Sequence, residues 1–239
     1  MTNETMNTGT SPTSRLQLDS RAAYTRTEML VTLATVAVLA ALVIAPLAVV
    51  RAKSRLKICE GNLQQIGRAA LRFAEDHETR LPGLIQTGSG DPWWWYKEEI
   101  KSYLGLSAPS SPNDRIFACP LDRGYSDPTP FCKTPRFDYG SYVFNGVTLF
   151  GTPNIAGWKL PAVNQPGRTL LVMEWTAHAP LSWHRSKTGK ANAPFYRDAE
   201  SVVAFADGRI NLVKIYYDGY NPAYTRNPVP GYEYKYGGN

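Results

Sequence analysis

Residues 23–77 read AYTRTEMLVTLATVAVLAALVIAPLAVVRAKSRLKICEGNLQQIGRAALRFAEDH, and the fold follows from the change of apolar period partway along them. Residues 29–50 carry no charge. As an α-helix that run would be roughly 33 Å long, against the ~30 Å hydrocarbon core of a bilayer. It is too long for the apolar core of an ordinary cleaved secretory signal. Pro46 is its one helix breaker, and neighbouring groups can re-satisfy the carbonyl that such a proline frees. Beyond position 50 the apolar residues thin out to Leu56, Cys59, Leu63, Ile66, Ala70 and Phe73, spaced alternately by three and four. That spacing is one stripe of a helix, with Arg51, Lys53, Arg55, Lys57, Arg68 and Arg72 mostly off it. The reading is a single helix from near Thr27 to near His77, apolar all round in its first half and amphipathic in its second. Gly61 and Gly67 weaken it locally, and Leu81-Pro82-Gly83 is the expected stop.

The start of this helix carries a pattern: Ala23, Tyr24, Thr25, then Glu28, then the apolar run. Arranged this way it resembles the N-terminus of the type IV pilin and type II secretion pseudopilin superfamily. There a small residue and an aromatic precede Thr, two apolar residues, Glu and an apolar helix. Ala23 stands where Gly is usual, and Arg26 where an apolar residue is usual. The resemblance implies cleavage between Ala23 and Tyr24 by a prepilin peptidase and methylation of the new amine of Tyr24. It also implies a role in filament assembly for Glu28, paired with the N-terminal amine of an adjacent subunit. The physical reading stands beside it. Glu28 is an acid in a first helical turn, which the macrodipole favours, at the edge of an apolar span where a carboxylate needs a partner. An ordinary N-cap acid is the plainer alternative.

The remaining residues set bounds. The chain has 239 residues and a net charge of +6, from 26 Lys and Arg against 20 Asp and Glu. The excess is diffuse, without the basic cluster and interleaved aromatics that would argue for nucleic acid, so no nucleic-acid partner is expected. Residues 1–20 are rich in Thr, Ser and Asn with no apolar period, and read as disordered before processing. Basic residues directly after the span outnumber those before it, which by the positive-inside rule favours a cytoplasmic C-terminal side. The pilin resemblance implies the reverse, with the head outside an inner membrane, and is given precedence. The organisation read here is a leader over 1–23, a membrane helix over 24–50, its amphipathic extension over 51–80, and a β-rich head over 81–239.

Within the head, Trp93-Trp94-Trp95-Tyr96 reads as an aromatic block that packs the head onto the amphipathic stripe, with ligand stacking as the alternative. Asp91-Pro92 is a plausible start for a short helix reaching Leu104. Residues 107–137 are loop-like and rich in proline. In an oxidising compartment, a bridge between Cys119 and Cys132 across the short loop between them is worth about 3 kcal/mol by the chain-entropy model. Cys59 is then left over, as a small apolar residue on the helix stripe. Two thiols at this spacing are too few for a zinc site, and neither metal nor cofactor is expected. Residues 139–146 and 169–175 read as strands. Residues 201–213 read as two strands joined at Asp207-Gly208, a strong hairpin signal. The tail from Tyr216 is expected to wrap the head without forming a core element.

Three head segments extend the resemblance. Many bacterial pilin-like proteins share a Cys-Pro-x-Asp segment, a Ser-Tyr-x-x-Asn segment and a C-terminal His-x9-Asp-Gly motif. Cys119-Pro120-Leu121-Asp122, Ser141-Tyr142-Val143-Phe144-Asn145 and Asp207-Gly208 match. Arg197 holds the place of the motif His, and His184 lies further upstream, as though displaced by an insertion. The fold these features imply is α+β and pilin-like, with a long N-terminal helix and a small antiparallel sheet. The implied function is a structural subunit of a type II secretion or type IV pilus-like filament, associating with its own copies and other pseudopilins. A membrane-tethered head that binds a solute or polysaccharide, supported by the tryptophan run, is the alternative. Glu174, His178, His184 and Asp207 are the candidates for acid–base work or metal ligation. Their spacing matches no ligand motif, and no nucleophile elbow or phosphate-cradling glycine loop is present, so an enzyme is not expected.

Overall fold

A computed structural model of the chain describes residues 24–83, 93–125, 129–147, 149, 151–179, 181–184, 199–218, 224, 226–227 and 229–239. The leader, Ala23, Asp91-Pro92 and Arg197 lie outside the described residues. Helix α1 runs unbroken from Arg26 to Asp76, 51 residues. By length and composition its apolar part is sufficient to cross a membrane, and that window is wholly exposed in the isolated chain. Leu30, Val31, Leu39, Leu42 and Ile44 are all more than half exposed.

The chain divides into two compact units, with the boundary between Leu47 and Ala48. The helix past position 48 thus belongs with the head, although the sequence read a separate extension up to residue 80. The reason is packing: Cys59, Leu63, Ile66, Ala69, Ala70 and Ala74 are buried in the same core as the sheet. The basic residues off this stripe are exposed. The helix ends at Asp76, close to the expected His77 and before Leu81-Pro82-Gly83; just beyond its end Glu78 and Thr79 adopt positive φ of 53° and 63°, a conformation no α-helix continues. The chain then returns, and Arg80 bridges to Lys159.

Helix α2 (Tyr96–Ile100) continues as a 3-10 turn over Lys101–Leu104, ended by Gly105 in the left-handed region. Four strands follow: β1 (Tyr142–Phe144), β2 (Leu170–Glu174), β3 (Ala199–Phe205) and β4 (Ile210–Ile215). They pair antiparallel in chain order, with Val143 opposite Met173, Met173 opposite Val203 and Val202 opposite Leu212. The β3–β4 hairpin turns at Asp207-Gly208, where Gly208 takes φ of 85°. All five residues of β2 are buried, as suits a central strand covered on both faces. β4 alternates in its second half, as an edge strand with one wet face does. α1 approaches β3 so closely that a Cβ added to Gly67 would stand 3.3 Å from the Ala204 Cβ. The architecture is α+β: one long N-terminal helix and a four-stranded antiparallel sheet.

Trp94, Trp95 and Tyr96 are buried in the same core as the α1 stripe. Their ring contacts lie on β1 and the loops before it. Trp95 and Tyr96 meet Phe144, and Trp94 meets Phe131 and Phe137. Their polar atoms donate to the carbonyls of Gly140, Gly146 and Tyr142 at 2.8, 3.1 and 3.1 Å. The expectation for the tail is corrected. Tyr234 and Tyr236 are fully buried and Lys235 forms a parallel bridge to Thr169, so the C-terminus supplies core. Each Tyr buries a large ring and still needs a polar partner. Tyr234 Oη accepts from the Tyr216 amide, and Tyr236 Oη donates to the Ala177 carbonyl at 2.6 Å.

Candidate functional site

Two places concentrate the residues singled out in the sequence: the start of α1 and the buried end of β2. At the first, Thr25 and Glu28 form a capping box. The Glu28 carboxylate accepts from the Thr25 amide at 2.8 Å and from its hydroxyl at 2.9 Å, and the Glu28 amide donates back to Thr25 Oγ1 at 3.2 Å. In the single chain, Glu28 is therefore a helix cap. Tyr24 beside it is largely exposed.

The Cys-Pro-x-Asp and Ser-Tyr-x-x-Asn segments prove to be staples between loops and strands. Asp122 accepts from the amides of Gly124 and Cys132 at 2.8 and 3.0 Å and from the Ser141 hydroxyl at 2.7 Å. The same hydroxyl oxygen accepts the Cys119 amide at 3.0 Å. Asn145 donates to the carbonyls of Leu170 and Tyr236, both at 2.7 Å, fastening β1 to β2 and to the C-terminus. Short polar side chains at strand ends hold loops this way because a buried backbone group left unpaired costs about as much as a lost hydrogen bond.

The expected Cys119–Cys132 bridge is not formed. Cys119 is bonded to Cys59 on α1, at a sequence separation of 60 and with 5.2 Å between their Cα atoms, and Cys132 is the free thiol. Burial pushes the Cys132 thiol up to about 11. Sequence distance misled because a short loop is only one way to bring two cysteines together. A residue on the buried stripe of a helix meets the head across any separation. Cys59 was already placed on that stripe, and this was the signal available for the correct pairing.

Around this bridge lie two more of the singled-out residues. Glu174, at the end of β2, is 0% exposed, and the His184 side chain is 2% exposed. His184 Nε2 stands 2.6 Å from Glu174 Oε1, and the other carboxylate oxygen accepts the Val202 amide at 2.8 Å. Cys119 Sγ stands 3.5 Å from the same Oε1. Asp207 and Gly208 are not part of this group. They sit in the β3–β4 turn, beyond Phe205, which pairs with Leu170 at the opposite end of β2. There Asp207 binds Arg209 at 2.7 Å, and Arg209 in turn donates to the Gly167 carbonyl. The displaced His and the Asp-Gly turn therefore serve different ends of the sheet.

His178 is fully buried among the rings of Trp93, Tyr224 and Tyr236. Neither ring nitrogen has a partner among the described residues, and burial lowers its pKa to about 3. It acts as a neutral ring in an aromatic cluster. Lys97 is buried under an ion pair with Asp138 at 3.2 Å and over the Phe117 ring at 4.6 Å. Burial pulls its ammonium below the usual range while Asp138 opposes that pull. No family model matches the chain, and no curated protein or solved structure matches it either.

Proposed function

We propose that the chain is a pilin-like structural subunit of a type II secretion or type IV pilus-like filament. The observation that carries this reading is the single helix Arg26–Asp76. Its apolar first half is wholly exposed in the isolated chain, and its second half is built into a folded head. Such a helix needs an apolar surrounding that the chain does not supply. A bilayer before assembly and the same helices of neighbouring subunits after it would both serve. In this reading a prepilin peptidase cuts between Ala23 and Tyr24 and the amine of Tyr24 is methylated. The subunit waits in the inner membrane with its head in the periplasm or outside. On assembly Glu28 exchanges its Thr25 cap for the amine of an adjacent subunit, which sets the axial stagger. The work is mechanical. The tethered-binder reading rested on the tryptophan run, and Trp94 and Trp95 spend their faces and ring N–H groups inside the head.

The test is mass spectrometry of the N-terminus in native membranes, paired with inter-subunit cross-linking of Glu28→Leu. A methylated Tyr24 terminus is expected, with Glu28→Leu inserting normally and failing to cross-link. An intact leader in peptidase-positive cells, or wild-type cross-linking by Glu28→Leu, would sink the filament reading.

A further inference from the structure

Cys59, Cys119, Glu174 and His184 come from four separate segments: the helix, a loop, a central strand and the chain beyond it. Their ligand-type atoms nevertheless all lie within 4.8 Å of one another, and Cys59, Cys119 and Glu174 are buried, with His184 nearly so. A disulfide alone does not account for this company. A bonded sulfur has no proton, so the 3.5 Å approach of Cys119 Sγ to a carboxylate oxygen is not a hydrogen bond in the oxidised chain. Nor does a disulfide call for a buried carboxylate and imidazole beside it, since burying such a pair costs more than apolar packing would. His184 Nδ1 has no partner among the described residues, so Nε2, the nitrogen that faces the group, is the one held in place.

We propose that these four side chains form a transition-metal site of the zinc class, filled when Cys59 and Cys119 are thiolates and emptied when they are joined. Two thiolates, an imidazole and a carboxylate are ligands that Zn²⁺ takes in a tetrahedron, at about 2.3 Å for sulfur and about 2.0–2.2 Å for nitrogen and oxygen. Those bond lengths put ligand atoms roughly 3.3–3.8 Å apart, within reach of the present cluster by small side-chain rotations. The supports are already fixed: the Val202 amide holds the second oxygen of Glu174, and Ser141 Oγ holds the Cys119 peptide. Thiolates select Zn²⁺ over Mg²⁺ or Ca²⁺, and a dication balances the charge that two thiolates add beside Glu174. The exchange between states balances with a small-molecule disulfide as oxidant. The two thiolates give two electrons to it, a Cys59–Cys119 bond forms, its S–S bond breaks into two thiolates, and the dication leaves. A dithiol or phosphine reverses the step. Either state ties α1 to the loop before the sheet, so the helix–head joint is kept in reducing and oxidising surroundings alike.

The experiment uses the full chain in detergent, reduced with a phosphine, freed of metal and titrated with Co²⁺. One Co²⁺ per chain should bind, with thiolate-to-cobalt charge-transfer absorption and the intense visible bands of a tetrahedral site, and Zn²⁺ should displace it. The unreduced protein should show neither band, and Cys132→Ser should behave as wild type. Glu174→Gln keeps the side chain's shape, and His184→Ala removes the ring. Each should weaken binding at least as much as the roughly 10–100-fold that loss of an outer-shell partner costs. If reduction loosens the head, Zn²⁺ should restore its circular dichroism. Three outcomes overturn the proposal. The reduced chain, with Cys59 and Cys119 shown free by alkylation, gives no thiolate–cobalt band. The bands survive unchanged in Glu174→Gln and His184→Ala together. Or a head loosened by reduction is not restored by Zn²⁺.

Discussion

The two halves of α1 are one continuous helix with opposite relations to their surroundings. The apolar run from position 29 carries no charge, and residues 29–44 are exposed in the single chain. Residues 56–74 are apolar on one stripe and bury nearly all of that stripe. What differs is where the partner surface comes from: the first half must find it in lipid or in other chains, and the second finds it in its own sheet. Amphipathicity therefore marks a helix that the chain completes by itself, and its absence marks one that the chain leaves open.

The largest effect should come from cutting the covalent joint on the self-completed half. Replacing Cys59 and Cys119 together by Ala removes a cross-link over a 60-residue separation, worth about 4 kcal/mol in the chain-entropy model. Denaturant unfolding of the oxidised protein, followed by tryptophan fluorescence, should show that loss. Non-reducing peptide mapping of the wild type should find Cys59 linked to Cys119 and Cys132 free.

A cavity sharpens the contrast without touching covalent structure. Ile66→Ala on the buried stripe should cost the head about 2–5 kcal/mol. Leu39→Ala, in the exposed half, should leave head unfolding within about 0.5 kcal/mol. Equal losses from both would show that the halves are not energetically separate.

Acid should weaken the head and spare the apolar helix. His178 is neutral when folded because burial lowers its pKa from 6.5 to about 3. As pH falls below about 6.5 the unfolded chain takes up a proton that the folded chain refuses, so stability declines toward pH 3. The slope approaches about 1.4 kcal/mol per pH unit for this one group. Carboxylates titrate in the same range, so the measurement is the difference between wild type and His178→Phe, which keeps a ring among Trp93, Tyr224 and Tyr236. The variant should show a shallower decline between pH 6 and pH 4, while far-ultraviolet helicity from the first half persists in both.

The smallest effects lie at the two glycines. Gly67→Val forces side-chain atoms toward Ala204 and should cost about 1–3 kcal/mol. Gly61→Ala meets nothing within 4 Å and should gain up to ~1 kcal/mol from helix propensity. Both are read by the same unfolding curves.

Local patterns carried far in this chain. The period change near position 50, the Asp207-Gly208 turn and the runs at 169–175 and 201–213 each depend on residues close in sequence, and each appears as an element near the expected place. The plainer reading of Glu28 as a helix-capping acid was legible as well, because a cap lies within one turn, although the sequence did not name Thr25 as its partner. What tertiary structure alone decided was every pairing at long range. Cys119 met Cys59 and not the nearer Cys132, the tail placed Tyr234 and Tyr236 in the core, and Glu174 and His184 closed on the two cysteines. The helical period put Cys59 on the buried stripe but named no partner for it, and no period betrays the other two. Each follows from which buried surfaces face one another once helix and sheet have packed, and that is a property of the whole fold.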